Sequence, residues 1–523
     1  MQGCHGVMAD QDGSHPLEME LRLKPRLKLT FPAEARALID QHPALQSPRA
    51  TAPEERHQLT TYYDTPDLAL HKSGLTLRVR QSGGQGVQML KSKPNSDGLA
   101  ARRGEWEWPV ETDRPAFGLL VGTPVGAKLD PGMAERLEPV FITDIRRTVR
   151  RLRLDGGATV EVAADEGSIR AGDTEEFVHE LKLELKGEPV GPLYRLALEL
   201  HSDLPLLIGV EPKAVRGYRL RTGRAPEAEK TSEPELDRYV GAVDGLRQIV
   251  AAAFGGLLGN QPAAAFGDVE GVHQMRVAIR RLRAALVLFG PHLEPHAAAR
   301  FENELQRLGR VLGGARDWDV FCLETLPAAL DGASEESWRL LGQAAEAERA
   351  ASHRQLGDEF AQPALTGLVL RLAAWAEDEA CLLGDKAMQG HLSGLAPELL
   401  DRVARKVIKR GRHIGRRSGK KLHALRKSLK KLRYGVDYLA GLYSHKAVKS
   451  YLKRCKDLQE LLGRINDAAM AVTLAEKLSQ DGHLDLAPAI GALGEWSEKR
   501  RHKALRHLPD AWDEFRAASP FWK

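Results

Sequence analysis

The sequence predicts two successive domains of different class, a strand-rich α+β unit followed by an all-α unit. Three observations predict them: short alternating segments up to about Leu220, a polar stretch with two prolines after Thr222, and helical spacing with an internal repeat beyond Leu236. A chain of 523 residues has room for roughly two to four ordinary domains. The expected boundaries are a disordered start at 1–14, the strand unit at 15–222, a linker at 223–235 and the helical unit at 236–523, with repeats over about 236–385 and 386–523.

Composition narrows the class without settling the function. With 42% apolar residues the chain can build real cores, and 76 basic residues against 71 acidic ones leave a net charge of only +5. That balance does not mark a nucleic-acid binder; what matters is where the charges lie. Cys4, Cys322, Cys381 and Cys455 are scattered without CxxC spacing, which argues against a disulfide framework or a zinc site. The first residues show no apolar stretch behind basic ones, and no uncharged apolar run reaches the roughly 18 residues of a membrane span. A cytoplasmic protein without a membrane partner is expected.

Alternation at period 2 marks strands with two chemically different faces. It occurs in Leu17–Leu23, Leu75–Arg80, Gln88–Lys93, Gly104–Trp108 and Thr159–Ala163, while Pro32–Gln41 reads as short helices. The charges on one face come in pairs of a single sign. Glu18 with Glu20, Glu105 with Glu107, Glu161 with Asp165 and Glu180 with Glu184 are acidic; Arg78 with Arg80 and Lys91 with Lys93 are basic. Residues two apart in a strand point the same way, so closing such strands into a barrel makes a charged tunnel. Arg and Lys suit phosphate oxygens, and carboxylates suit Mg²⁺ or Mn²⁺. A metal–polyphosphate complex fits that mixture.

The motifs Glu18-x-Glu20-x-Arg22, Thr61-Tyr-Tyr-Asp-Thr-Pro66, Leu75-Thr-Leu-Arg-Val-Arg80, Asp165-Glu-Gly-Ser-Ile169 and Lys213-Ala-Val-Arg-Gly-Tyr-Arg-Leu220 resemble, in order, those of the CYTH family of triphosphate tunnel metalloenzymes. The resemblance implies an eight-stranded antiparallel tunnel that hydrolyses inorganic triphosphate with Mg²⁺ or Mn²⁺. It implies catalytic roles for Glu18 and Glu20, and a metal set of Glu18, Glu20, Glu161, Asp165, Glu180 and Glu184. It also implies triphosphate contacts from Arg22, Lys24, Arg78, Arg80, Lys91, Lys93, Arg147 and Lys182. Two departures stand out: Arg22 replaces the usual Lys, and Lys182 occupies an inward position that is usually acidic. Lys182 could bind phosphate or repel a second metal.

In the helical half, His273-Gln-Met-Arg-Val-Ala-Ile-Arg-Arg-Leu-Arg283 recurs 150 residues later as His423-Ala-Leu-Arg-Lys-Ser-Leu-Lys-Lys-Leu-Arg433, and Leu312–Asp317 recurs as Leu462–Asp467. At about 100° per residue, His273, Arg276, Arg280 and Arg283 share one arc, as do His423, Arg426, Lys430 and Arg433. Apolar stripes at Val272, Met275, Ile279, Leu282, Leu286 and Phe289, and at Leu422, Leu425, Leu429, Leu432, Val436 and Leu439, lie beside them. Repetition of the same basic arc points to an anion site rather than a solvated face. Asp317 and Asp467 suit either orienting those cations or capping helices.

This half resembles a CHAD domain, a histidine-containing helical module. That implies two four-helix bundles related by a pseudo-two-fold and inorganic polyphosphate bound by His273, Arg276, Arg280, Arg281, Arg283, Arg316, His423, Arg426, Lys427, Lys430, Lys431 and Arg433. Association with polyphosphate granules is a companion expectation. Asn466 stands where the first copy has Arg316, so the copies are not equivalent. The alternative reading is a non-catalytic polyphosphate binder with a degenerate CYTH domain. Nucleic acid is disfavoured because the basic helices lack interleaved aromatics for base stacking. The sequence leaves the oligomeric state open.

Overall fold

The computed structural model describes residues 26–92, 104–126, 129–155, 157–187, 189–330, 332–378, 386–480 and 486–523. The expected disordered start, the strand expected at Leu17–Leu23, and Glu18, Glu20, Arg22, Lys24 and Lys93 therefore lie outside the described residues. The chain divides into two compact units between Ala225 and Pro226.

The first unit is built on strands β1 (Arg26–Thr30), β2 (Glu54–Asp64), β3 (Leu75–Ser82), β4 (Gln85–Ser92), β5 (Glu105–Val110), β6 (Glu138–Arg153), β7 (Thr159–Ala171), β8 (Thr174–Lys186) and β9 (Leu207–Ile208). They form one sheet in the order β5-β4-β3-β2-β6-β7-β8-β1-β9, with antiparallel pairing throughout. Nine strands are thus described rather than eight, the ninth a two-residue edge. The right-handed twist of strands favours curling of a sheet this wide. Glu105 on β5 feels the charge of Arg26 on β1, although those strands lie near opposite ends of the order. Residues from β1 through β8 line a single cavity of about 520 Å³.

Short helices α1 (Arg36–Gln41), α2 (Pro43–Gln46), α3 (Ala69–Lys72) and α4 (Gly118–Val121) fill the connections, and α5 (Gly191–Asp203) buries Leu193, Leu196, Ala197 and Leu200 beside β8. Helix α6 (Lys213–Thr222) matters most for the cavity, because Lys213, Ala214 and Tyr218 help to line it. Asp64 is fully buried and accepts from the Tyr218 hydroxyl at 3.0 Å and from the backbone N–H groups of Thr65, Leu70 and His71. One carboxylate therefore satisfies the start of α3 and anchors α6.

The second unit contains α7 (Ala242–Gly259), α8 (Gln261–Ala265), α9 (Val269–Phe289), α10 (Pro295–Val320), α11 (Leu326–Ala328), α12 (Glu335–Ala361), α13 (Pro363–Glu377), α14 (Leu392–Gly411), α15 (Gly419–Leu439), α16 (His445–Gln480) and α17 (Ala487–Ala517). The repeat is visible in the elements, since α9 and α15 span the same 21 residues shifted by 150. Their apolar stripes are buried as the spacing predicts. Helix α9 packs on α7, α10 and α15, while α15 packs on α14 and α16. A core of Trp318, Phe321, Trp338, Leu341, Ala471, Ala475 and Leu493 joins elements of both copies. The stretch expected as a linker is held against this unit from Glu229 onward. Glu229 N–H donates to Asn260 Oδ1 at 2.9 Å and Thr231 N–H to Gln274 Oε1 at 3.0 Å.

Gly217 lets α6 close onto the sheet, because a Cβ there would stand 2.2 Å from the Phe141 ring. Gly217→Ala should destabilise the first unit by about 1–3 kcal/mol through overpacking. Thermal unfolding of the full chain would show its transition lowered; an unchanged midpoint would mean that α6 is not held by this contact.

Candidate functional site: a charged β cavity and a basic helix pair

The cavity wall gathers charges from nearly every strand. Its described lining carries eight Lys and Arg residues against five carboxylates. Of the triphosphate contacts expected from sequence, Arg78, Arg80, Lys91, Arg147 and Lys182 all line it. Arg78 donates to the Tyr62 hydroxyl at 3.1 Å. The Arg80 Nε is buried without a hydrogen-bond partner, and burial beside Arg78 and Arg147 pulls its guanidinium down to about 10, so it stays charged at neutral pH. Lys91 pairs with Glu105.

The acidic wall differs from the expected metal set. Asp165 and Glu180 are buried, with 0% and 1% exposure, and face each other across β7 and β8. Arg147 grips Asp165 with two bonds of 2.6 and 2.9 Å, while Lys182 lies 2.9 Å and Lys213 2.8 Å from the same carboxylate. Glu180 pairs with Lys213 at 2.5 Å, Arg216 at 3.2 Å and Lys28 at 3.5 Å. Burial opposes ionisation of Asp165, but its cations outweigh that and hold the carboxyl far below its usual range. Glu180 is lowered in the same way. Nearer the rim, Glu184 pairs with Arg26 at 2.9 Å and with Lys186, which also lies 3.9 Å from Glu161.

A divalent ion would need carboxylate oxygens free to coordinate it. Among the described residues no group of three or more His, Cys, Asp or Glu side chains could hold one, and Glu161, Asp165, Glu180 and Glu184 are all engaged by cations. Among the described residues the late acids are thus spent on cations, while Glu18 and Glu20 of the expected metal set lie outside the described residues. Lys182 is pressed well below the usual lysine range by burial and by Lys213. It lies deep in the fold, yet about a third of its side chain opens to the cavity.

Sequence reasoning missed Lys28, Lys213 and Arg216. Arg26 and Lys28 both line the cavity, and they follow Lys24 at the same period of two, so extending that spacing by four residues finds Lys28. Lys213 and Arg216 sit on α6 at helical spacing, which a strand-period reading does not assign to the same site.

In the helical unit, α9 and α15 bring their basic arcs together. Lys430 is pushed down to about 6, first by burial and then by Arg280, Arg426 and Arg276. Arg280 is likewise lowered by burial, with Arg276, Arg433 and Arg316 adding to the effect. Burial and Arg316 lower His273. Asp317 lies in the last turn of α10 and Asp467 inside α16, so neither caps a helix start. They orient Arg276 at 3.5 Å and Arg426 at 3.8 Å. Even so, Arg276 Nη1 and Arg426 Nε are buried without partners. His423 meets Asn466 Oδ1 at 2.6 Å, whereas Arg316 reaches Glu324 at 3.0 Å.

Other members of the basic set lie elsewhere. Arg281 is 8% exposed and donates to the carbonyls of Thr231 and Ser232 and to Glu233, so it anchors the segment before α7 instead of facing an anion. Arg283 pairs with Glu302 at 2.8 Å, and Lys431 feels Glu302, Arg283, Lys406 and Arg410. Lys427 is exposed. Arg433 donates to Gln459 and pairs with Asp437 at 3.2 Å.

The first unit is a curled antiparallel sheet with an inward cationic wall, and the second a duplicated helical unit with a central basic cluster. The CYTH domain family model matches residues 18–218 and the CHAD domain family model residues 248–476, so the chain carries a CYTH domain followed by a CHAD domain. It is 32% identical over 161 residues to an inorganic triphosphatase of Haemophilus influenzae. That match takes in 31% of this chain and 45% of the other, so the chain spans less than half of that curated relative. The crystal structure of the CHAD domain from the plant Ricinus communis aligns at a TM-score of 0.50 with 26% identity, covering 56% of this chain and 98% of that domain. Among the described residues no helix is long and apolar enough to cross a membrane.

Asp165→Asn should cost about 3–5 kcal/mol, because it leaves several buried cations without their counter-charge. A lowered carboxylate contributes stability above its unfolded pKa and loses it as pH falls towards the folded value. Urea unfolding of the native chain should therefore weaken below the ordinary Asp value of 3.8, and the Asn variant should lack that part of the acid dependence. Equal stability of the two proteins at pH 7 would refute the role given to Asp165.

Proposed function

We propose that the CYTH domain hydrolyses inorganic triphosphate and that the CHAD domain holds inorganic polyphosphate. The observation that carries the first part is the excess of cations over carboxylates in a cavity of about 520 Å³. A multiply charged phosphate chain is the natural occupant, with Arg78, Arg80, Arg147 and Lys182 donating to its oxygens and neutralising charge as the bridging bond breaks. The name of the Haemophilus relative supports the same substrate. Mg²⁺ or Mn²⁺ belongs to the proposal through the CYTH resemblance, and its ligands in this chain would be Glu18 and Glu20 rather than the late acids.

The second part rests on the convergence of α9 and α15. Arg276, Arg280, Arg426 and Lys430 repel one another, with Asp317 and Asp467 beside them. A polyanion relieves that repulsion. The proposed setting is the cytoplasm, in contact with polyphosphate granules. One observation favours the alternative of a non-catalytic binder: Lys182 and Lys213 already occupy the late acids.

Phosphate release from tripolyphosphate with Mg²⁺ or Mn²⁺, compared with Glu20→Ala, separates the two readings. Release well above that control is expected; none would leave only the binder. For the helical site, the low Lys430 value makes the free ammonium largely neutral at pH 8, while bound phosphate favours its charged form. Long-chain polyphosphate binding should therefore take up about one proton at pH 8 and weaken as pH rises above about 6. Calorimetry of the full chain in two buffers of different ionisation enthalpy reads this directly. Lys430→Met should remove the uptake, and a buffer-independent heat for the native chain would refute it.

A further inference from the structure

The four late carboxylates form two facing pairs. In the β7–β8 register Asp165 lies opposite Glu180, and Glu161 opposite Glu184. Like charges directly opposite each other destabilise a sheet unless an opposite charge lies between them. A divalent ion would be one such bridge. In this chain a lysine spans each gap: Lys213 and Lys182 join Asp165 to Glu180, and Lys186 joins Glu161 to Glu184.

The deeper pair is overcompensated. Lys28, Arg147, Lys182, Lys213 and Arg216 all reach Asp165 or Glu180. Lys28 is also the direct β1 partner of Lys182, so two cations face each other across the next strand pair. A dication arriving here would have to displace tethered ammonium groups, and those groups would remain nearby to repel it. An anion meets the opposite situation. The charged lysine has three donors, and Lys182 reaches Asp165 while about a third of its side chain is open and lines the cavity.

We propose that Lys182 and Lys213 fill the space between Asp165 and Glu180 where a metal ion would otherwise bridge them, so that this wall is a metal-free subsite for a phosphate group. Lys182, Lys28 and Arg147 present the cations, and the late acids bind no divalent ion. This rests on the reading that the cavity takes triphosphate. It goes further by assigning part of the phosphate recognition to lysines where a second metal would otherwise sit.

The test uses the full chain carrying Arg280→Ala and Lys430→Ala, which weakens competing phosphate binding in the helical unit. Free Mn²⁺ is counted by electron paramagnetic resonance, and tripolyphosphate binding is measured by calorimetry in EDTA. Glu180→Gln should leave the Mn²⁺ stoichiometry unchanged. Lys182→Glu should add about one Mn²⁺ per chain and weaken tripolyphosphate binding in EDTA at least about tenfold. Lys182→Met removes the charge without adding a ligand, so it should weaken EDTA binding similarly and add no Mn²⁺; it serves if the Glu variant does not fold. Loss of a bound Mn²⁺ in Glu180→Gln, or EDTA binding indifferent to Lys182→Met, overturns the proposal. Absence of phosphate release would overturn triphosphatase activity instead, and the binding arms would still decide this one.

Discussion

Two buried carboxylates facing each other across adjacent strands set the chemistry of the first unit. Asp165 and Glu180 cannot remain ionised side by side without cations, and the chain supplies these from β1, β6, β8 and α6. The same charges position the architecture. Arg147 ties β6 to β7 beyond their backbone ladder, and Lys213 with Arg216 draws α6 over the end of the cavity. Buried ion pairs are seldom a net gain over apolar packing, so this cluster is better understood as specifying where cations point than as a source of stability.

The helical unit solves a different electrostatic problem. Its basic residues come together because two copies of one helix pack along their apolar stripes, and the basic arc lies beside each stripe. Packing energy holds the cations in place against their mutual repulsion. Burial strengthens that repulsion, and Lys430 registers it most clearly. The β cavity carries counter-ions of its own, whereas the helix pair has few.

Much of this was legible in the sequence. Period 2 located described strands at Leu75–Arg80 and Thr159–Ala163, and the offset of 150 located α9 and α15 together with their buried stripes. What could not be read was partnership across the fold. Alternation places Asp165, Glu180 and Lys182 on inward faces, yet only the register shows that the acids oppose each other and that lysines fill the gap. Lys213 was hidden for a related reason, since it reaches the site from a helix that carries no strand period. Arg281 shows the converse error: its place in a repeated basic motif suggested an anion contact, but it turns to the backbone at Thr231 and Ser232.

The repeat itself explains why equivalent positions diverge. Duplication gives two copies of each cation, but a central cluster crowded with too many charges would destabilise the packing that creates it. The second copy differs at one of them: Asn466 stands where the first copy has Arg316, and its Oδ1 accepts from His423 Nδ1–H. Arg281 is withdrawn into backbone contacts, and its counterpart Lys431 lies with Arg283, Lys406 and Arg410 around Glu302. Arg276, Arg280, Arg426 and Lys430 face one another, with Arg316 and Arg433 also acting on Arg280 and one orienting aspartate from each copy. That residue set is small enough for buried helices to hold and still carries more positive than negative charge.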